Sequence, residues 1–485
     1  MKLSRIIEII NPVLVRNFTD VDIKSLAYDS RNVTAETLFF AIHGEKYDGH
    51  KFIQDAIERG ANSCVVEKEE KISTVPLIKV ENARETLAKI STHFYGFPSR
   101  KLLVVGITGT NGKTTTSFLI KNILDTAGRK AGLIGTMGYF IGDKNINLPN
   151  TTPESLWLQR IMREMVDSGI EVCIMEVSSH GIKMGRINNI DFDIGILTNI
   201  SRDHLDFHRT FSDYVNTKLK LFQGLKEQSI AIVNLDDGES NRFIKGISTR
   251  CFTYGIKEEA HFKGEIKRID ENGMELLIRH KDKVFEISSP LRGRYNAYNI
   301  IPSFAFSYII KVKEEEIKKG ISSFQGVSGR GERVTTGLAF NCIIDYAHTP
   351  DALYNLFSSE KEMTDGRLIC VFGAGGDRDV GKRPEMGKVA ASLCDVIILT
   401  SDNPRGEKPE SIIKDILEGM NSKNVIVEVN RGKAIETSIN MAKRGDIVII
   451  AGKGHERYQE IMGKRNSFND REIAESCIRK LKEKN

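Results

Sequence analysis

The stretch "GITGTNGKTTT", Gly106 to Thr116, gathers residue types that suit phosphate chemistry. It follows the apolar run "LLVV" and opens a helical pattern, so backbone N–H groups can approach anionic oxygens at the positive end of a helix. Gly109, Thr110, Asn111, Gly112 and Thr115 would line the cradle, Lys113 would reach the terminal phosphates, and the Thr114 hydroxyl suits Mg²⁺. The strict pattern asks for glycine five residues before Gly112, where Ile107 stands, so the loop is a variant. Such a loop leaves kinase, GTPase and ligase open, although the lack of an "NKxD" stretch weighs against the GTPase. Glu176 closes the apolar run "VCIME"; a carboxylate there is costly to bury unless it is paired, which favours a metal ligand over a chance core residue.

A second constellation is "TSDNPRGEKP", Thr400 to Pro409, directly after "CDVIIL". Asp402, Asn403 and Pro404 are turn formers. Arg405 is a planar cation able to grip a carboxylate with two hydrogen bonds. Three further apolar runs also end in polar or glycine clusters: "DYAH", "GAGGDRD" and "GKGHE".

These residues need elements to hold them. Between "YGFPSRK" and "GVSGRGERV" the runs "LLVVGITG", "AGLIGT", "VCIMEVSS", "DIGILTNIS" and "SIAIVNLDD" alternate with helical patterns, which predicts a parallel sheet with helices on both faces. The stretch from Phe262 to Ser289 alternates around "DENG" and reads as antiparallel hairpin strands at an edge or insertion. The last 150 or so residues repeat the α/β pattern, so the four polar clusters should share one sheet edge, where open parallel sheets bind ligands. The expectation is α/β in three domains: 1–98, a central P-loop ATPase sheet over 99–334, and a Rossmann-like domain over 335–485.

Composition narrows the partners. A formal charge of +5 over 485 residues, with no basic block, argues against nucleic acid. The seven cysteines are dispersed without a CxxC pair, which reads as free thiols in a reducing compartment. No run approaches the roughly 18 apolar residues of a membrane span. A cytoplasmic protein without membrane contact is expected.

"GTNGKTTT", "NTTPE", "MEVSSHG", "TNISRDHLDFH", "DYAHTP", "GAGGDRDVGKRP" and "SDNPR" occur in this order, preceded by "YDSRNVTAETLFFAIHGEKYDGHKFIQDAIERGA". The series resembles the Mur ligases of peptidoglycan synthesis, specifically those that add the third amino acid, and it covers essentially the whole chain. The resemblance implies an N-terminal domain for the UDP-sugar peptide, a central ATPase domain, a C-terminal domain for the amino acid, and a monomer. It implies that ATP, with Mg²⁺, phosphorylates the D-glutamate carboxylate of UDP-N-acetylmuramoyl-L-alanyl-D-glutamate, and that an amine displaces phosphate to give an amide.

By the same resemblance, Lys113, His204 and Lys218 are catalytic, and Thr114, Glu176, His204 and Lys218 serve the metal. Lys218 in "KLKLF" reads by itself as a solvated lysine on an amphipathic helix; the family implies instead that it is carbamylated to N6-carboxylysine. Ser30, Asn150, Thr151, Thr152, Ser178 and Arg186 are implied for the UDP-muramyl substrate. Asn296, Asn299, Arg330 and Asp345 are implied for the nucleotide, although "VSGRGERV" carries Ser328 and Gly331 where relatives have proline and methionine. Arg383, Asp402, Asn403, Pro404, Arg405, Gly452 and Glu456 are implied for the amino acid. Two arginines and a glutamate complement the extra carboxylate and ammonium of meso-diaminopimelate, and relatives that add L-lysine generally lack the arginine of "DNPR". Alternatives are the same ligase adding L-lysine or another diamino acid, or a P-loop phosphotransferase or ATPase.

Overall fold

The structure is a computed structural model that describes residues 1–44, 47–68, 70, 74–421 and 424–484; Glu45 and Lys46 of the quoted N-terminal stretch lie outside the described residues. The fold is mixed α/β with three main sheets, of five, eleven and six strands, and a separate hairpin. By packing, the chain divides into two compact units: Met1–Gly106 with Arg129–Gly195 and Lys220–Ile230, and Ile107–Gly128 with Ile196–Leu219 and Ala231–Asn485.

In the first unit the five-stranded sheet runs Leu14–Arg16, Leu77–Lys79, Ala61–Val66, Thr37–Phe40, Ser25–Ala27. Only its first pairing is antiparallel. Successive residues of "TLFFA" point to opposite faces, and both faces are covered. Leu38 and Phe40 pack with Leu87 and Ile90 of helix Ala83–Phe94, while Phe39 and Ala41 pack with Ile53 and Ala56. The same unit holds strand Val172–Glu176, parallel to Ala131–Gly135, followed by the antiparallel strands Gly138–Ile141 and Lys144–Ile146.

In the second unit, Phe262–Asp270, Gly273–His280 and Lys283–Ser289 form the expected antiparallel strands, and Lys283–Ser289 is the outermost of its sheet. The six-stranded sheet runs Glu332–Val334, Asn341–Asp345, Ile447–Ala451, Leu368–Phe372, Val396–Leu399, Val425–Val427, parallel except for its first pair. Glu332–Val334, which composition put before the third domain, therefore pairs into this sheet. Leu353, Met386 and Ile413, from three helices, cover one face; Ile435 and Ile478, from two others, cover the opposite one. This double covering explains the continuous apolar runs and leaves the polar strand ends as the open edge.

Candidate active site

Strand Leu103–Thr108 delivers the chain into the loop, and helix Lys113–Thr126 leaves it. Gly109 has φ 146° and Gly112 φ 84°, conformations that side chains rarely adopt. A Cβ at Gly109 would collide with the Thr198 hydroxyl, and one at Gly112 would collide with Asn299 Oδ1. Residues 198–201 brace the loop. Thr198 Oγ1 donates to the Asn111 carbonyl at 2.6 Å, Asn199 Oδ1 accepts from Asn111 N at 2.9 Å, and Thr110 Oγ1 accepts from Ser201 N at 2.9 Å. Sequence reasoning missed this bracing role; the polar side chains directly after an apolar strand were its only signal.

Lys113 folds over the loop, its ammonium donating to the carbonyls of Gly109 at 2.9 Å and Thr110 at 2.8 Å. Lys218 corrects the reading of "KLKLF" as solvated. Its side chain is 1% exposed, its ammonium donates to the Gly109 carbonyl at 2.8 Å, and the Tyr214 ring centroid lies 4.7 Å from Nζ. Burial, and then the Lys113 ammonium, push the Lys218 pKa well below the ordinary lysine value. Lys220, two residues on, is exposed.

His204 sits in the left-handed region at φ 55°, with Nε2 3.3 Å from Asp203 Oδ2. Asp203 is buried, which alone would raise its pKa, but the Lys382 ammonium 3.5 Å away and the neighbouring His204 and His348 hold it well below the usual range. Arg330 lies 4.3 Å over the Tyr346 ring with Nη2 3.4 Å from Thr114 Oγ1. Asp345 accepts from Gly331 N at 2.5 Å and Ala347 N at 2.6 Å. Asn296 Oδ1 accepts from Asn299 Nδ2 at 2.8 Å, and Asn299 Oδ1 accepts from Thr116 at 3.3 Å. Asn111 Nδ2 donates to Asp351 of helix Pro350–Lys361 at 2.9 Å. The residues expected for the nucleotide, and Thr114, His204 and Lys218 among those expected for the metal, therefore lie in one compact unit.

In the first unit, Glu176 is fully buried at the end of its strand, accepting from Thr136 N at 3.1 Å and Thr136 Oγ1 at 3.0 Å. Thr151 Oγ1 is 3.1 Å from the Thr136 hydroxyl, and Thr152 Oγ1 donates to the Glu176 carbonyl at 2.9 Å. Asn150 is exposed and Ser30 is buried beside Asp55. Two of the residues expected for the UDP-muramyl substrate have partners within the chain. Ser178 Oγ caps helix Ser179–Lys183 by accepting from Gly181 N, and Arg186 is held by Glu154 at 3.0 Å and the Thr152 carbonyl at 3.0 Å. Arg84, which the sequence reading missed, also pairs with Glu154. Among the described residues no three His, Cys, Asp or Glu side chains gather as a metal-holding group. The Glu176 carboxylate in the first unit, and separately the Thr114 hydroxyl in the second, are oxygen donors of the kind Mg²⁺ takes.

At the carboxyl edge of the six-stranded sheet, Asn403, Lys453 and Glu456 form one cluster. Asn403 Nδ2 donates to Glu456 Oε2 at 2.8 Å, and Lys453 Nζ donates to Glu456 Oε2 at 2.9 Å and Asn403 Oδ1 at 3.0 Å. Gly452, at φ 113°, passes so close to Asp402 that a Cβ would sit 2.5 Å from Oδ2. Arg405, at φ 51°, bridges to Ile461 of the hairpin; its Nη1 donates to the Gly376 carbonyl at 2.7 Å. Its side chain is 21% exposed and its Nε lies 3.9 Å from Glu460 Oε2, with Pro404 carrying the chain into this edge. Arg383, 1% exposed, pairs with Glu407 at 2.8 Å and Asp415 at 2.8 Å, which ties helix Lys382–Leu393 to those segments, while its buried Nε has no hydrogen-bond partner among the described residues.

The chain matches the Mur ligase middle domain over residues 107–307, the Mur ligase glutamate ligase domain over 329–454, and the Mur ligase catalytic domain over 22–95. It is 42% identical over 487 residues to a UDP-N-acetylmuramoyl-L-alanyl-D-glutamate--2,6-diaminopimelate ligase of Clostridium tetani, covering 99% of this chain and 100% of that one. A protein of the same name from Clostridioides difficile is 43% identical over 486 residues, with 99% and 100% covered. A solved structure of a ligase so named is 31% identical and superposes with a TM-score of 0.65 over 95% of both chains. The three matched domains and the end-to-end identity make this chain a member of the Mur ligase family.

Proposed function

We propose that the protein is an ATP-dependent ligase that joins meso-diaminopimelate to the D-glutamate of UDP-N-acetylmuramoyl-L-alanyl-D-glutamate, a cytoplasmic step of peptidoglycan precursor synthesis that serves wall growth and division. The observation that carries it is a shared compact unit. The unit holds a phosphate loop with two ammonium groups on one carbonyl, and a strand-end cluster that offers both a guanidinium and a carboxylate.

The reaction transfers the γ-phosphoryl group of ATP to the D-glutamate carboxylate, forming an acyl phosphate and ADP. The amine of the amino acid attacks that carbonyl carbon, the C–O bond to phosphate breaks, and an amide forms with loss of a proton. Carboxylate and triphosphate repel one another, so the cationic Lys113 favours their approach. Mg²⁺, when bound, neutralises developing phosphate charge; in the second unit Thr114, His204 and the carbamate of Lys218 are the residues that would hold it, and in the first unit Glu176 offers a carboxylate of the kind it takes. Asn296, Arg330 and Asp345 would serve the nucleotide. Ser30, Asn150, Thr151 and Thr152 would serve the UDP-sugar peptide. At the other edge, Arg405 would take the distal carboxylate of diaminopimelate, while Glu456 and the Asn403 amide would take its ammonium and remaining carboxylate.

The test is product formation from the UDP-dipeptide and ATP with meso-diaminopimelate or L-lysine as acceptor. Turnover with lysine equal to that with diaminopimelate would sink the choice of amino acid. ATP hydrolysis indifferent to the UDP-dipeptide would sink the ligase.

A further inference from the structure

We infer that Lys453, through its ammonium, sets the amino-acid selectivity of the strand-end cluster by balancing the Glu456 carboxylate and bridging it to Asn403 Oδ1. The inference rests on the reading of that cluster as the amino-acid site.

Lys453 lies in "AGKGHE", where glycines on either side have φ 113° and 52°, and its side chain is fully buried. A buried lysine costs several kcal/mol unless it is paired. Nζ spends two donors, on Asn403 Oδ1 at 3.0 Å and Glu456 Oε2 at 2.9 Å, and lies 5.4 Å from the Tyr458 ring centroid. Asn403 Oδ1 also accepts from Glu460 N at 2.9 Å. An ammonium and a backbone N–H are both obligate donors, so the atom they share must be the amide oxygen. The NH₂ group is thereby turned to Glu456, at 2.8 Å, with one N–H left to offer a ligand carboxylate.

Charge gives the second half of the argument. Asp402, Glu456 and Glu460 supply three carboxylates to this edge, and Lys453, Arg405 and Arg465 supply three cations. Such a balanced set suits a zwitterionic ligand end. Removing the Lys453 ammonium leaves the set one charge more negative and strips Glu456 of its cation, while the Glu460 N–H still holds the Asn403 oxygen. This change penalises a ligand carboxylate and favours a bare amine such as that of lysine. Lys453 touches the residues that would bind the ligand, which makes it a positioning residue.

The experiment measures kcat and KM of Lys453→Met and Lys453→Gln with meso-diaminopimelate and with L-lysine, at saturating ATP and UDP-dipeptide. The expected result is a rise in KM for diaminopimelate of about tenfold or more, unchanged KM for ATP, and a shift of the kcat/KM ratio toward lysine by at least about tenfold. Lys453→Gln keeps one donor without the charge, so it should shift the ratio while remaining soluble if the methionine variant does not fold. An unchanged ratio, with both amino acids losing activity equally, would overturn the role of Lys453. Failure of the unmutated protein to prefer diaminopimelate would instead overturn the reading of the cluster.

Discussion

Lys218 and Lys113 donate to the same acceptor, the Gly109 carbonyl oxygen, at 2.8 and 2.9 Å. Two cations on one carbonyl repel each other, and the buried one gives up its proton more readily; the Lys218 pKa is pushed well down by burial and then by Lys113. A neutral amine attacks CO₂, whereas an ammonium does not. Attack by Lys218 would form an N–C bond and a carbamic acid, and loss of its proton would place an anion beside Lys113.

The first prediction follows from that chemistry. Labelled bicarbonate at neutral pH should give a carbamate signal that Lys218→Ala abolishes and acid removes. Ligase activity of Lys218→Ala should fall by about 100-fold or more and recover partly with formate or acetate. The exposed Lys220→Ala is the control. A fully active Lys218→Ala protein would remove the carbamate.

Arg405→Ala should lower kcat/KM for meso-diaminopimelate by about 10³-fold while leaving the KM for ATP unchanged, because a site built to pair a carboxylate loses its partner. Comparison of both amino acids as acceptors checks this. An equal loss with lysine would argue that Arg405 only shapes the turn.

Arg383→Ala should behave as a stability variant. It strips the cation from Glu407 and Asp415, whose half-open side chains water partly screens, and it leaves the buried Arg383 volume empty, a loss of about 1–3 kcal/mol. Denaturant unfolding measures it. A normal unfolding midpoint with a raised KM for the amino acid would place Arg383 in the ligand set.

Stability should fall as pH drops from about 6.5 toward 4. Burial, and then the Lys382 ammonium, lower the His348 pKa to about 4; burial, with Arg330 and Lys453, does the same for His455. In that window the unfolded chain binds protons that the folded chain refuses, so the contribution is complete above the unfolded pKa and lost on acidification. Urea midpoints across this range read the slope, which His348→Asn should flatten. An unaltered slope would assign the acid sensitivity elsewhere.

Much of this architecture was legible because its signals are local. "LLVVGITG" and "DIVIIAGKG" announce strands by unbroken apolar runs, and the turn residues after them mark the open edge. Lys218 was less legible, although helical spacing held the clue. Tyr214, Lys218, Leu221 and Phe222 recur at intervals of three and four and are all buried, so Lys218 lies on the apolar stripe of helix Phe211–Gln223. The ion pairs of Arg383 were not legible for a different reason. Its partners Glu407 and Asp415 lie 24 and 32 residues away on other segments, and no short-range pattern joins them. The contact of Asn403 with Lys453, fifty residues on, is hidden in the same way.

Arg405 occupies a left-handed backbone position, φ 51°, that glycine or asparagine would fill without a steric cost of about 1 kcal/mol. The local chain therefore exerts a steady pull against arginine. A descendant released from the need for a guanidinium would drift to glycine or asparagine here, so the identity of this one residue should serve as a marker of acceptor choice.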